Sequence, residues 1–265
     1  MSQFDISDLT LLLVEPSPMQ QKIIMERLHD EGVCNIQTAD SITSAKAEAK
    51  QCHPDVIACA MHFADGTALD LVKYIKQDPD LENILLMLVS SESRFAQLDA
   101  YKQSGVVAIL PKPFSRDNLH TALVSAADLL SHQEIELEYL DPHELRVLLV
   151  DDSKLSRNII RRTLNNLGFR NITEASDGSE AKLLFQQQYF DLVVTDFNMP
   201  TMDGLCLTRF IREDSENSHT PILMVTSEAD EYKLNQISHS GVDAVCDKPF
   251  EPKLVKRLLH QILEG

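Results

Sequence analysis

Asp151 and Asp152 stand side by side in this 265-residue chain, followed at a distance by Asp196, Thr226 and the triplet Lys248-Pro249-Phe250. Three carboxylates drawn to one place do not stay ionised together without a cation. Hard oxygen ligands that leave room for water suit Mg2+, so the three acids specify a Mg2+ site. A carboxylate can also act as a nucleophile and form an aspartyl-phosphate. Asp196, central among the three, is the candidate nucleophile. A cation on the acids would neutralise an incoming phosphoryl group, and the Lys248 ammonium would hold another of its oxygens. Thr226 offers a hydroxyl donor to the phosphorylated form. Pro249 favours a distinctive backbone after Lys248, with a cis bond as one option.

This chemistry needs residues about 100 positions apart to meet, and the surrounding pattern provides for it. Short apolar runs at Val147–Val150, Ile172–Ala175, Leu192–Thr195, Ile222–Val225 and Ala244–Cys246 read as strands. Helical patterns lie at Ser153–Leu167, Ser179–Gln188, Leu205–Glu213, Asp230–Ser240 and Glu251–Leu263. Ser153 is a helix N-cap by type and Gly168 a helix stop. Strict alternation of strand and helix predicts an α/β fold, a five-stranded doubly wound parallel sheet of the flavodoxin-like (βα)5 kind. Ligands of such sheets bind at the C-terminal ends of the strands, which is where the acids, Thr226 and Lys248 fall.

The same scaffold occurs a second time, 136 residues earlier, without its chemistry: Glu15-Pro16, Ala60, Ser90 and Lys112-Pro113-Phe114. Its strands read as Leu11–Val14, Ile36–Thr38, Val56–Cys59, Leu85–Val89 and Val107–Leu110. The chain therefore divides into a degenerate domain, 1–130, a linker, 131–144, and an intact domain, 145–265. In the linker, Ile135, Leu137 and Tyr139 alternate while Leu130, Glu134 and Leu137 keep helical spacing. An extended last helix and an irregular strap both fit, and either is short enough for the domains to touch.

Composition excludes several classes of function. The net charge is −17, and both halves share it: residues 1–136 carry 10 basic and 20 acidic side chains, residues 137–265 carry 14 and 21. Such a surface repels phosphate backbones, so nucleic acid is not expected as a direct partner. The apolar runs are too short to cross a membrane, and the first residues lack the basic region of a secretion signal. Five cysteines without paired spacing read as reduced thiols. A cytoplasmic protein is expected.

Taken together, Asp151-Asp152, Asp196, Thr226 and Lys248-Pro249-Phe250 resemble the receiver domain of two-component response regulators, once intact and once degenerate. The resemblance implies phosphotransfer to Asp196 from a sensor histidine kinase, a histidine phosphotransfer protein or a small phosphodonor, with Mg2+ bound. It also implies that the backbone carbonyl of Asn198 completes the metal shell. Asp196-Phe197-Asn198-Met199-Pro200 and Val225-Thr226-Ser227-Glu228-Ala229 are similar to stand-alone chemotaxis receivers of the CheY type. There Asn198 and Glu228 fall at two variable positions flanking the attacking water, implying a short phosphoryl lifetime. Val245 departs from the pattern, as does Ile109 in the first copy. The family often has an aromatic ring there that swings inward on activation, and a β-branched side chain has no comparable rotation. Docking on a flagellar motor switch, which uses that ring, is thereby put in doubt.

The first copy lacks a nucleophile at Ala60 and a metal ligand at Pro16, so its phosphorylation is not expected. Lys112 has Glu15 as a natural partner. Asp65 lies beyond the strand end and is a poor substitute nucleophile. Cys52, His53, Cys59 and His62 match no zinc spacing and read as buried thiols and surface imidazoles. This domain then reads as an interaction module. No output domain is expected after the second receiver, so output runs through protein contact, by a downstream target or a phosphorylation-dependent homodimer. The face remodelled would include Tyr232, Leu234, Val245 and the last helix. The alternatives are a phosphoryl shuttle or sink, and a phosphatase with an aspartyl nucleophile. Asn198 stands against the phosphatase, because those enzymes usually carry a second Asp there as general acid.

Overall fold

A computed structural model describes residues 4–92, 95–131, 133–227, 237 and 239–264, with side chains of 95–97 excepted. The chain forms two compact units, Met1–Ser131 and His132–Gly265.

In the first unit, β1 (Thr10–Val14), β2 (Asn35–Ala39), β3 (Val56–Ala60), β4 (Leu85–Ser90) and β5 (Ala108–Pro111) alternate with α1 (Pro18–Asp30), α2 (Ile42–Cys52), α3 (Ala68–Gln77), α4 (Phe95–Gln103) and α5 (Arg116–Leu130). The sheet is parallel throughout, in the order β2-β1-β3-β4-β5. A short antiparallel hairpin, His62–Phe63 with Gly66–Thr67, follows β3 and was not foreseen. β5 begins one residue later than the apolar run suggests.

The second unit repeats this plan with β6 (Arg146–Val150), α6 (Lys154–Asn166), β7 (Asn171–Ala175), α7 (Gly178–Gln187), β8 (Leu192–Asp196), α8 (Gly204–Arg209), β9 (Ile222–Thr226), β10 (Ala244–Asp247) and α9 (Pro252–Glu264). The order is β7-β6-β8-β9-β10, again all parallel. Each unit is thus a flavodoxin-like doubly wound sheet whose order reverses beside its first strand. The third helical pattern is regular through Arg209, and Phe210–Asp214 widens into a π turn. The fourth pattern, Asp230–Ser240, falls largely outside the described residues, with Tyr232 and Leu234.

Successive residues of a strand face opposite ways, and here both faces are buried. Val147 and Leu149 enter one cluster with Ile160, Leu164, Val255 and Leu259. Leu148 and Val150 enter the other with Phe185, Leu207 and Phe210. At about 25 cal/mol per Å2 of apolar surface removed from water, each such side chain contributes roughly 1.5–3 kcal/mol. Ser153 caps α6 through the Ser156 amide, and Gly168 follows that helix at φ +103°, a backbone that favours glycine. Before β6 the chain is an irregular strap. Ile135 is buried among α6 and α9 side chains, its amide donates to the Leu167 carbonyl, and Leu137 packs partly behind it.

Candidate functional site

The rim of the second sheet is built by strand ends. β6 delivers Asp151 and Asp152, β8 ends on Asp196, β9 ends on Thr226, and Lys248 follows β10. Asp151, Asp152 and Asp196 each offer an oxygen within 4.8 Å of the others, a grouping able to hold a metal ion. Asp151, Asp196, Thr226 and Lys248 are all 3% exposed or less, while Asp152 opens to solvent.

Two of the donors to the Asp151 carboxylate come from the turn and helix that follow it. The N-cap turn at Ser153 points its amide at Asp151 Oδ1, 2.8 Å away. One helical turn on, the Ser156 hydroxyl donates to Asp151 Oδ2 at 2.6 Å. Lys248 Nζ donates to the same oxygen at 2.8 Å. Arg157 donates to the Asp151 carbonyl while its Nε holds Glu174 Oε2 at 3.1 Å, tying α6 to β7.

Asp196 is served less well. Its Oδ1 accepts from the Phe197 amide at 2.9 Å. Its Oδ2 stands 3.1 Å from Lys248 Nζ, within ion-pair range but outside hydrogen-bond geometry. That buried oxygen accepts no hydrogen bond among the described residues. Burial pushes the Asp196 carboxyl up to about 6; the Lys248 charge opposes the shift and Asp151 reinforces it. Asp152 is also raised, first by loss of water and then by the Asp151 charge. A buried oxygen without a donor, ringed by carboxylates, fits a hard divalent cation with partly hydrated ligands.

The backbone near Asp196 is close-packed. A Cβ on Gly204 would lie 2.3 Å from the Asp196 carbonyl oxygen, so this position at the start of α8 needs glycine. The Gly204 amide donates to the Phe197 carbonyl at 3.0 Å, closing the loop that carries Asn198. Asn198 is exposed. Val245 is half-buried against Phe197, Met224 and Ile237. Glu228 lies outside the described residues. The Lys248–Pro249 and Lys112–Pro113 bonds are both cis.

The first sheet holds a closed version of the same rim. Lys112 Nζ donates to Glu15 Oε2 at 2.7 Å, and the Ser17 amide to Glu15 Oε1 at 3.1 Å. Ala60 and Met61 are buried where Asp196 and Phe197 stand in the repeat, and Ser90 Oγ meets Met61 Sδ. Pro16 is exposed. Asp65 caps α2 through the Ile42 and Thr43 amides and the Thr43 hydroxyl, which hold its carboxyl below the ordinary range. Cys59 lies inside β3 with its thiol pushed up by burial, and His62 is exposed on the hairpin.

Sequence reasoning missed Ser156, Arg157 and Gly204. A serine three residues after an N-cap serine was the available signal for the first.

The profile of the response regulator receiver domain matches residues 11–124 and 147–260. The chain belongs to the response regulator receiver family and carries two such domains in tandem, which makes it a two-component signalling protein. Among curated relatives, chemotaxis protein CheY of Pseudomonas aeruginosa is 39% identical over 120 residues, covering 45% of this chain and 97% of that protein. Chemotaxis protein CheY-3 of Vibrio cholerae is 40% identical over 120 residues, covering 45% and 92%. Among solved structures, Vibrio cholerae CheY4 covers 45% of this chain and 98% of its own, at 34% identity and a TM-score of 0.42. A probable two-component system response regulator/GGDEF domain protein covers 97% of this chain and 98% of its own, at 23% identity and a TM-score of 0.43. No helix among the described residues is long and apolar enough to cross a membrane.

Proposed function

We propose that the second receiver is a phosphorylation switch whose phosphoacceptor is Asp196, and that the first receiver is an interaction module. The observation that carries this reading is the buried Asp196 oxygen that, among the described residues, accepts no hydrogen bond and stands 3.1 Å from Lys248 beside Asp151 and Asp152. Asp151, Asp152, Asp196 and the Asn198 carbonyl would hold Mg2+, which supplies charge neutralisation to the oxygens of an entering phosphoryl group. The chain's own groups do the rest. Phe197 fixes one Asp196 oxygen, leaving the carboxylate aimed at the rim. From a phosphohistidine donor, an Asp196 oxygen forms the new P–O bond as the P–N bond breaks. The bonding pair stays on the imidazole nitrogen, which takes a proton from solvent. Lys248 turns to the phosphoryl oxygens, and Thr226 donates its hydroxyl to them.

Phosphorylation shifts an existing equilibrium of the second receiver and changes its affinity for a partner protein. In the first receiver, Ala60 supplies no nucleophile and Glu15 already occupies Lys112, which supports a role in contacts rather than phosphotransfer. The test is labelling of the whole chain by a radiolabelled small acyl phosphate and by a phosphorylated histidine phosphotransfer protein. Wild type should take up an acid-stable, alkali-labile label dependent on Mg2+. Label persisting in Asp196→Ala would overturn the assignment.

A further inference from the structure

Lys248 is one ammonium shared between two carboxylates, 2.8 Å from Asp151 Oδ2 and 3.1 Å from Asp196 Oδ2, in a place almost sealed from water. If Asp196 takes a phosphoryl group, Lys248 must turn towards the new oxygens. Asp151 Oδ2 then loses a charge-assisted donor where the residue is fully buried. An acceptor abandoned there would resist the change, because desolvated polar groups without partners are costly.

The Ser156 hydroxyl meets this need. It donates to the same oxygen at 2.6 Å and is itself 5% exposed, so water does not replace it. With Ser153 on Oδ1, Asp151 keeps a donor on each oxygen after Lys248 departs. The repeat gives an independent comparison. In the first unit, where Ala60 replaces the nucleophile, the position equivalent to Ser156 is Gln20, which is exposed. There Lys112 has, among the described residues, one carboxylate partner, Glu15, and no acidic nucleophile beside it.

We propose that Ser156 is a positioning residue that releases Lys248 from Asp151 during phosphorylation of Asp196. The proposal rests on the phosphoacceptor reading above. Removing a hydrogen bond to a charged group should slow phosphoryl uptake by about tenfold. The experiment is the rate of labelling of the Mg2+-saturated full chain by acetyl phosphate, in wild type, Ser156→Ala, Ser156→Thr and Asp196→Ala, with Mg2+ affinity measured in parallel. The expected result, with each variant at Mg2+ concentrations that saturate it, is a slow Ser156→Ala and a rate restored by Ser156→Thr. A purely structural role would lower the melting temperature of Ser156→Ala and leave its rate below that temperature unchanged. Equal rates in wild type and Ser156→Ala overturn the role of Ser156 while the phosphoacceptor stands. No Asp196-dependent labelling of wild type overturns both.

Discussion

Replacing Asp196 with Ala should make the metal-free protein more stable at neutral pH. The carboxyl is moved from an ordinary value near 3.8 to about 6, chiefly by burial. At about 1.4 kcal/mol for each tenfold change in proton affinity, this corresponds to roughly 3 kcal/mol against the ionised folded state. The folded state binds this proton more tightly than the unfolded chain. The contribution of this one carboxyl to stability is therefore greatest below pH 3.8, falls as pH rises towards about 6, and is level above. The Ala variant lacks this carboxyl and keeps the Lys248–Asp151 pair. Allowing for the small void left by the side chain, it should gain about 1–3 kcal/mol at pH 7.5 in EDTA, and little near pH 4. Urea unfolding with amide exchange read in β8 peptides reports the second unit separately. Added Mg2+ should raise wild type and leave the variant nearly unmoved, because a ligand stabilises in proportion to its occupancy of the folded state. A variant less stable than wild type at pH 7.5 in EDTA, or a difference independent of pH, would refute the reasoning.

Three further outcomes follow from the same geometry. Lys248→Ala leaves Asp151 and Asp196 buried without their cation and should lose about 3–5 kcal/mol in EDTA, read by urea unfolding. Gly204→Ala places a Cβ on the Asp196 carbonyl and should cost at least about 1–3 kcal/mol, read as a lowered melting temperature of the second unit. Glu15→Gln should destabilise the first unit by about 1–3 kcal/mol by removing the charged partner of Lys112, while labelling of Asp196 proceeds at the wild-type rate.

The strands were legible because they are buried on both faces, so Val147–Val150, Leu192–Val194 and Ile222–Val225 are unbroken apolar runs. The site was legible for a related reason. In a parallel sheet the end of each run marks one rim, so residues following the runs must converge there. What was hidden depends on three-dimensional approach. Ser156 looks like a solvated serine in the first turn of a helix until the Ser153 cap turns it onto Asp151. Gly204 resembles any loop glycine, and its contact with the Asp196 carbonyl joins two elements. The strap before β6 carried two competing spacings. Docking of Ile135 among α6 and α9 side chains settled it against a helix, while Tyr139, in the same alternation, remains exposed. The π turn at Phe210–Asp214 left no mark, because its residues keep helical spacing.

The two rims differ in their arithmetic of charge. At neutral pH the first sets one carboxylate, Glu15, against one ammonium, Lys112, and is electrically closed. The second sets Asp151, Asp152 and Asp196 against Lys248, leaving two negative charges. Whatever completes the second rim must bring two positive charges from solution, whereas the first needs nothing. One chain therefore holds two copies of one scaffold under identical solvent, one rim balanced in charge and the other in excess of carboxylate. A response to divalent ions common to both units would report the medium, and a response confined to the second would report its uncompensated charge.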